Sequence, residues 1–353
     1  MLIALLATAS AGEATYGKGF TIEEGDYKLK ISSRIQLRTT YESPVDDVTA
    51  SELYVSIPRA RLKLSGDAGP KLGYYFQADF GKGQVALKDM FVDYQLADGV
   101  SLVAGQYKKS FSRQQLTSSS SMHFSERAIT DKAFGGGRDI GVSLLGEPED
   151  GGLGWALGVF NGTGDKGVFV GSVEDDGSVS GKFSNVPTWM APLAVARVSY
   201  DSKGFKSTKE SDLKGGDLRW SVGAGAQSLF DVDGGDDGSV RANLDAIVKA
   251  HGLSMTGAVY VATAQGGEAW TDQGYSALGF HAQAGYVVGG KVEPVLRYAQ
   301  VMPDGEDATQ EIGGGLNVFS ERGHDSKLQA SGVYQTTAGE GEIFATAQYQ
   351  FQF

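Results

Sequence analysis

The chain has 353 residues, with 51 glycines, 8 prolines, no cysteine and a formal net charge of −12 at pH 7. The absence of cysteine excludes disulfides, a thiolate zinc site and a cysteine nucleophile, and the net acidity argues against a general nucleic-acid-binding protein. No run of about 18 apolar residues occurs, so no transmembrane helix is predicted. A membrane β-barrel stays open, because its strands alternate apolar and polar residues and resemble a soluble protein in composition.

The first residues form a short apolar run, 1–11, that ends in Ala9-Ser10-Ala11. An apolar run followed by such a small-residue triplet is typical of a secretory signal peptide and its cleavage site. The first lysine is Lys18, so the basic start of a signal peptide is missing. Either the chain starts too late or the run is simply an apolar N-terminus. We predict a signal peptide at 1–11 and a periplasmic N-terminal segment at 12–26.

From residue 27 to the C-terminus the apolar residues recur with a period of two, which indicates β-strands. In the last segment, every second residue from Ile343 to Phe353 is apolar. Each segment has about 9 to 15 residues, enough for a tilted strand to cross a bilayer. Sixteen strands are predicted: 27–41, 52–64, 72–81, 85–97, 100–109, 139–147, 153–162, 191–200, 218–229, 239–250, 253–264, 275–288, 292–302, 309–320, 326–336 and 342–353.

An even number of antiparallel strands places both chain ends on one side of the membrane. With a periplasmic N-terminus, the external gaps are 42–51, 82–84, 110–138, 163–190, 230–238, 265–274, 303–308 and 337–341. The inner turns are mostly shorter, except 201–217, which could hide a further strand. We predict one domain, 27–353, folded as a 16-stranded antiparallel transmembrane β-barrel. Sixteen strands leave a water-filled lumen, whereas about eight are filled by side chains, so this fold predicts a pore.

The polar face of the predicted strands is richer in bases than in acids, although the whole chain has 31 basic and 43 acidic residues. The bases are Lys28, Lys30, Arg34, Arg38, Arg59, Arg61, Lys63, Arg197, Arg219, Arg241, Lys249, Arg297 and Lys327. The acids are Asp79, Asp89, Asp93, Asp139, Asp245, Glu293, Glu311 and Glu342. Basic residues around a lumen lower the barrier for anions, and a low-dielectric wall focuses their field. The pore is therefore expected to prefer anions.

Seven short pieces between Pro58 and Gly162 carry a resemblance to one known family. They are 58–62 (PRARL), 87–94 (LKDMFVDY), 104–111 (AGQYKKSF), 116–119 (LTSS), 125–127 (SER), 137–142 (GRDIGV) and 158–162 (GVFNG). In this order and spacing they resemble the phosphate-selective porin O and P family, and the remaining segments resemble it by strand pattern. The ending Tyr349-x-Phe351-x-Phe353 is similar to the signal read by the outer-membrane assembly machinery.

The resemblance implies a passive diffusion channel of the bacterial outer membrane. It implies a homotrimer of 16-stranded barrels in outer-membrane lipid, each barrel with a third external loop that folds into the lumen and narrows it. The permeant ions would be small inorganic anions, namely phosphate, polyphosphate or chloride. No cofactor, metal or catalytic residue is implied, and no nucleic acid is expected as a partner.

The resemblance also implies roles for individual residues. Arg59 and Arg61, in the arginine-rich motif of the second strand, would line the anion path, and Asp89 matches the family's acidic residue near the constriction. Segment 110–138 would be the infolded loop. With the polar faces of the first two strands and the ends of the loop, nine residues are expected to line the path: Arg34, Arg38, Arg59, Arg61, Lys63, Asp89, Lys109, Arg127 and Arg138.

Two departures from the family pattern bear on selectivity. Phosphate-selective members have a lysine after the Thr-Ser-Ser of the third loop, where this chain has Ser120. Their ladder of arginines is thin here, with Arg197, Arg219 and Arg241 on one middle strand each. A sparse ladder implies a weak anion preference with little binding, which still permits conduction because permeation needs weak, multiple sites.

Other interpretations stay open. The arginines of the second strand could be a plain solvated face paired with lumen acids, and Lys109 could lie at the rim. The chain could be a general porin with weak or cation preference, which its net charge of −12 would suit. An outer-membrane barrel enzyme would need paired catalytic residues, but the four histidines are spread over four segments. A soluble β-sandwich or adhesin is the last alternative.

Overall fold

A computed structural model of the chain describes residues 19–83, 85–162, 164, 168–173, 179–184, 191–205, 208–230, 239–264, 276–321 and 323–353. Strands β2–β8 and β11–β19 form a closed antiparallel barrel of sixteen strands. In chain order the strands are β1 (Phe20–Glu24), β2 (Tyr27–Pro44), β3 (Glu52–Ala68), β4 (Leu72–Asp79), β5 (Ala86–Ala97), β6 (Val100–Lys108), β7 (Arg138–Gly146), β8 (Gly152–Phe160), β9 (Val168–Val173), β10 (Val179–Ser184), β11 (Leu193–Asp201), β12 (Arg219–Leu229), β13 (Ser239–Ala250), β14 (Leu253–Ala264), β15 (Ser276–Tyr286), β16 (Val292–Pro303), β17 (Thr309–Ser320), β18 (Gly323–Thr337) and β19 (Glu340–Gln352).

The barrel closes through two pairings between strands that do not follow each other directly. Leu193 of β11 lies opposite Phe160 of β8, and Gln352 of β19 lies opposite Arg34 of β2. All other barrel neighbours are consecutive in the chain and antiparallel. The prediction of a 16-stranded antiparallel barrel is confirmed, and no predicted strand boundary differs from the observed one by more than four residues.

The structure adds short elements that the alternation did not reveal. Strand β1 pairs with the beginning of β2, with Phe20 opposite Ile31, so the predicted segment 12–26 includes a strand. Strands β9 and β10 form a hairpin in the external gap 163–190. Short 3-10 helices lie at Val48–Ala50 and Gly81–Gly83, and α-helices at α1 (Arg113–Leu116) and α2 (Ile129–Phe134). The predicted signal peptide, 1–11, lies outside the described residues, and no helix among those described is long and apolar enough to cross a membrane.

Side chains alternate between the two faces of the barrel wall, as strand geometry requires. On β2 the inward residues Arg34, Gln36 and Arg38 are 7%, 0% and 8% exposed, whereas Ile35 and Leu37 between them are each 50% exposed on the outside. This inverts the pattern of a soluble protein. It fits a barrel with lipid outside and a polar lumen inside, in which the closed sheet satisfies every strand hydrogen bond.

Candidate functional site

One long connection, from β6 to β7, is largely buried; we call residues 109–137 the docked loop. It begins with α1, whose N-cap Ser112 accepts the backbone N–H three residues on, at 3.2 Å. The carbonyls at the C-terminal end of α1 accept bonds from two cations. Lys108 Nζ donates to the carbonyl of Thr117 (3.0 Å), and Arg127 Nη2 donates to the same oxygen (2.9 Å). Positive charges are favourable there because helix C-terminal carbonyls carry partial negative charge.

The start of the docked loop is bound to strands on another side of the barrel. The Phe111 carbonyl accepts from Arg197 Nη1 (2.8 Å) on β11 and from Asn243 Nδ2 (3.0 Å) on β13. Asp245 of β13 accepts the backbone N–H of Arg113 (2.9 Å), and its other carboxylate oxygen lies 3.2 Å from Arg113 Nε. Gly225 leaves room for this contact, since a Cβ there would lie 2.1 Å from the Phe111 oxygen.

An apolar cluster holds the same loop against β14 and β15. Phe134 stacks on Tyr260 with ring centroids 5.3 Å apart, and Phe111 lies 6.4 Å from the same ring. All three rings are fully buried. Thr130 and His281 Nδ1 are hydrogen bonded at 2.8 Å. Burial of aromatic rings is the largest single source of packing energy in such a contact, so this cluster fixes the loop against the inner wall.

The middle of the loop, residues 118–126, is bound to the strands on either side of the junction of β19 and β2. We call this junction the barrel seam. Arg34 of β2 donates to the hydroxyls of Ser118 (3.3 Å) and Ser119 (3.1 Å). Gln350 of β19 donates to the Ser120 carbonyl at 3.0 Å. Carbonyls of residues 122, 123 and 126 accept from side chains of β16, β17 and β18. The docked loop therefore contacts inward-facing side chains on several sides of the closed sheet.

A second inward segment comes from the opposite end of the barrel; we call residues 202–218, between β11 and β12, the inner turn. Its residues Glu210 and Asp212 are buried, at 3% and 2% exposed. Glu210 binds the docked loop twice: its carboxylate accepts from the His123 N–H (2.6 Å), and its own N–H donates to the Ser121 carbonyl (2.8 Å). The expectation that 201–217 could hide a strand is not met in its described residues; the segment is long because it reaches the docked loop.

Two cavities lie next to these segments, and their charges differ. The cationic cavity, about 610 Å³, is lined by two carboxylates, Asp212 and Asp325, and by eight bases: Lys30, Arg34, Arg61, Lys63, Lys209, Lys214, Arg219 and Lys249. The mixed cavity, about 1190 Å³, is lined by eight bases and six carboxylates. Five residues line both cavities and mark their junction: Arg61, Tyr75, Gln77, Ser118 and Phe205.

Arg34 and Lys63 line the cationic cavity with their charges available. Within the described residues, Arg34 has no carboxylate partner, and its Nε has no hydrogen-bond partner at all. Lys63 Nζ lies over the Tyr75 ring, 4.4 Å from its centroid, and no carboxylate forms an ion pair with it in the part of the chain that the structure describes. Ser120 stands where the family pattern has a loop lysine, and the two serines before it accept hydrogen bonds from Arg34 of the wall. The cation at this position thus comes from β2 instead of the loop.

Arg38 and Arg59 instead share one loop carboxylate, which compensates one of their two charges and which the sequence analysis did not single out. Glu126 lies 2.7 Å from Arg38 Nη1 and 3.2 Å from Arg59 Nη2. Burial alone would raise the pKa of the Glu126 carboxyl, but the charges of Arg59 and Arg38 outweigh it and lower the pKa to about 2. Glu126 is therefore ionised throughout the pH range of a living cell. Only Arg59 of the two arginines lines a cavity.

Three further predicted residues, Arg61, Arg138 and Asp89, form ion pairs along the wall. Arg61 Nε lies 2.7 Å from Asp79, and Arg138 holds Asp89 with two bonds of 2.9 and 3.0 Å. Asp89 lines the mixed cavity beside Arg138. Arg61, which could have been part of a solvated face paired with lumen acids, does pair with such an acid, and it lines both cavities.

The last two predicted residues have structural contacts. Arg127 lies 3.2 Å from Asp131 and donates to three carbonyls around α1, but it also lines the mixed cavity. Lys109 is buried, 3.8 Å from Asp139, and lines neither cavity. Lys109 therefore lies where the docked loop packs against the barrel wall, and not at a solvated rim.

Several residues of the site were not predicted. Arg113 and Phe205 line the mixed cavity, and Lys209 lines the cationic one. Phe205 and Lys209 belong to the inner turn, whose unusual length was the one signal in the sequence. Nothing in the alternation of a strand reports a residue such as Arg113, which lies in a loop.

The comparisons with known proteins agree on a porin. The family described as phosphate-selective porin O and P matches residues 29–295. Similar solved structures include an anion-selective porin from Comamonas acidovorans (TM-score 0.61, 15% identity, 93% of this chain and 100% of that chain). The outer-membrane channel DcaP of Acinetobacter baumannii has a TM-score of 0.59 at 12% identity, over 97% of this chain and 100% of its own. The comparison with curated protein sequences gives no match.

A third similar structure is OmpT of Vibrio cholerae in its trimer form, with a TM-score of 0.57 at 11% identity, covering 93% of this chain and 100% of that one. At these identities the structural likeness shows the fold alone. The family match does not depend on the structural likeness, and it extends over more than half of the chain. The chain therefore belongs to the phosphate-selective porin O and P family: it is a bacterial outer-membrane porin, a channel and not an enzyme.

Proposed function

We propose that this porin is a passive channel for small anions whose selectivity resides in the cationic cavity, below the docked loop. The observation that carries the proposal is the cation content of that cavity, eight bases against two carboxylates. Arg34 and Lys63 within it have no carboxylate partner among the described residues. Phosphate and polyphosphate are the first candidates for the permeant ion, and chloride would pass by the same route.

The mechanism is electrostatic and involves no covalent step. The docked loop narrows the lumen and forces ions past Arg34, Lys63 and Lys30, whose field a low-dielectric wall focuses. The planar guanidinium of Arg34 suits phosphate oxygens, because it offers paired hydrogen bonds and keeps its charge. The neighbouring Ser118 hydroxyl is within 3.3 Å of Arg34 and could donate to the same anion.

The ion pairs elsewhere in the lumen explain why binding would be weak. Arg38, Arg59, Arg61 and Arg138 each have a carboxylate within 3.2 Å. A paired arginine still attracts anions, but its field is largely cancelled at a distance. Weak sites are what conduction needs. We therefore infer a modest anion preference with shallow phosphate binding.

A general porin with weak or cation preference is the second candidate. It is favoured by the mixed cavity, in which six carboxylates nearly balance eight bases, and by the overall charge of −12. If ions enter mainly through the mixed cavity, the cationic cavity would contribute little to the selectivity. The sign of the reversal potential in a salt gradient separates the two candidates.

We also infer that the porin functions as a homotrimer embedded in outer-membrane lipid. A trimer form is described for OmpT of Vibrio cholerae, whose fold this chain shares. The terminal Phe353 exchanges two backbone hydrogen bonds of 3.0 Å with Ser33 of β2, so the C-terminus is part of the barrel seam. We propose that this aromatic end is read by the outer-membrane assembly machinery before the barrel closes.

Phosphate is expected to block the chloride current of the purified porin in a planar bilayer. Arg34→Gln should raise the half-blocking concentration of phosphate about tenfold, because a hydrogen bond to a charged group contributes about that factor to binding. Lys203→Gln is the matched control, because Lys203 is an exposed lysine of the inner turn that lines neither cavity. Equal phosphate block in both variants would mean that Arg34 does not contact the permeant ion.

A further inference from the structure

One stretch of the inner wall is apolar, where the lumen of a porin is ordinarily polar. Inward positions on four successive strands, β4 to β7, carry Tyr75, Phe91, Val103, Tyr107 and Leu145, and all of them line the mixed cavity. The rings of Tyr75 and Phe91 are 5.0 Å apart and nearly parallel, and Phe91 contacts Tyr107 at 5.6 Å. We call these five residues the apolar wall.

The apolar wall continues the cluster that holds the docked loop, since Val103 and Tyr107 belong to that cluster and Phe91 packs against it, but its part at Tyr75 and Phe91 is left uncovered. Phe111, Phe134 and Tyr260 are covered completely by the loop and the barrel. Tyr75 and Phe91 are only partly covered, and they border an open space of about 1190 Å³. The free energy falls when an apolar group covers apolar surface that would otherwise face water. A patch of this kind, rimmed by polar groups, is typical of a binding surface.

A basic residue, Lys63, lies directly beside one end of the apolar wall. Tyr75 lines both cavities, and Lys63 Nζ of the cationic cavity lies over its ring. Tyr75 and Phe91 lie directly opposite each other on adjacent strands. Because they stack face to face from those positions, their ring planes stand upright on the wall and turn their edges to the lumen. Aromatic edges carry partial positive charge, so the rings of Tyr75 and Phe91 themselves repel neither an anion nor an apolar group.

We propose that the junction of the two cavities is a binding site for small aromatic carboxylates. The carboxylate would lie in the cationic cavity near Lys63 and Arg34, and the ring would cover Tyr75 and Phe91, which are the wall residues next to Lys63. The site rests on the proposed function in one respect, since the carboxylate is assumed to reach the cationic cavity. It goes beyond that function because inorganic anions make no use of an apolar wall.

The test compares benzoate with acetate as blockers of the single-channel KCl current in a planar bilayer at neutral pH. The half-blocking concentration of benzoate should be about tenfold lower than that of acetate, from ring contacts that acetate lacks. Phe91→Ser should reduce the difference to less than twofold. Val92→Ser is the matched control, because Val92 is the next residue of β5 and lies exposed on the outer face.

Equal block by the two acids, or a tenfold difference that persists in Phe91→Ser, would overturn the proposal. Phe91→Ala tests the same surface if Phe91→Ser fails to assemble, as judged by heat-modifiable migration in detergent gels. Benzoate and acetate carry the same charge, so their ratio does not depend on the ion preference of the pore. A cation-selective reversal potential in plain KCl would therefore overturn the proposed function alone, while the ratio still decides this site.

Discussion

Replacing Arg34 and Lys63 together by glutamate is expected to lower the permeability ratio of chloride to potassium about tenfold. The double variant changes the cationic cavity from eight bases and two carboxylates to six and four. One unit charge at about 10 Å in water is worth roughly 0.4 kcal/mol to a passing ion. The change of four units shifts the energy of each ion by about 1.6 kcal/mol, with opposite signs for chloride and potassium. Screening over a Debye length of about 10 Å at 0.1 M salt reduces the summed effect on the ratio to about 1.2 kcal/mol, close to a factor of ten.

The reversal potential in a KCl gradient measures this ratio directly. The control is Lys203→Glu with Lys291→Glu, two exposed lysines at the same end of the barrel that line neither cavity. It introduces the same change in total charge. If both double variants shift the reversal potential equally, the selectivity arises from the general surface charge and the cationic cavity is not the filter. The effect should also shrink at high salt, which screens the charges.

Asp245→Ala is expected to release the docked loop and raise the single-channel conductance severalfold. Asp245 is buried and pairs with Arg197 through two contacts of 2.7 Å, while it also binds the backbone and side chain of Arg113. Removing one member of a buried ion pair leaves uncompensated charge and costs about 3–5 kcal/mol. The sixteen-stranded sheet does not depend on this contact, so the penalty falls on the position of the loop.

Conductance and open-channel noise both report on a released loop. Asp307→Ala is the control, since it removes the same charge from an exposed external position. Heat-modifiable migration in detergent gels should remain for both variants, because the barrel itself persists. An unchanged conductance in Asp245→Ala, with an intact barrel, would show that the start of the docked loop is held by its apolar cluster without this carboxylate.

The strands could be predicted from the sequence because each barrel strand faces two different solvents. Lipid on one side and water on the other impose a strict period of two, and the boundaries of β13, β14 and β17 coincide with the predicted ones at both ends. β1 was missed, since its five residues are too few to display a period. The basic inner face of β2 and β3 followed from the same alternation.

The partners of the charged residues could not be predicted in the same way. Alternation tells which residues face the lumen, but it does not tell which of them meet across it. Glu126, for example, pairs with both Arg38 and Arg59 only because the docked loop places it beside β2 and β3. Arg34 meets the hydroxyls of Ser118 and Ser119 instead, so no loop carboxylate pairs with it among the described residues. Pairing of this kind depends on loop packing, which local sequence patterns do not encode.

The central claim is that a cationic cavity gives this porin a preference for anions. The most direct measurement is the reversal potential of the purified wild-type porin in a planar bilayer under a tenfold KCl gradient. The account predicts a reversal potential with the sign of the chloride equilibrium potential. Its magnitude should fall as the salt on both sides is raised. A potential on the potassium side would contradict it, and would mean that the carboxylates of the mixed cavity and the external loops govern which ions pass.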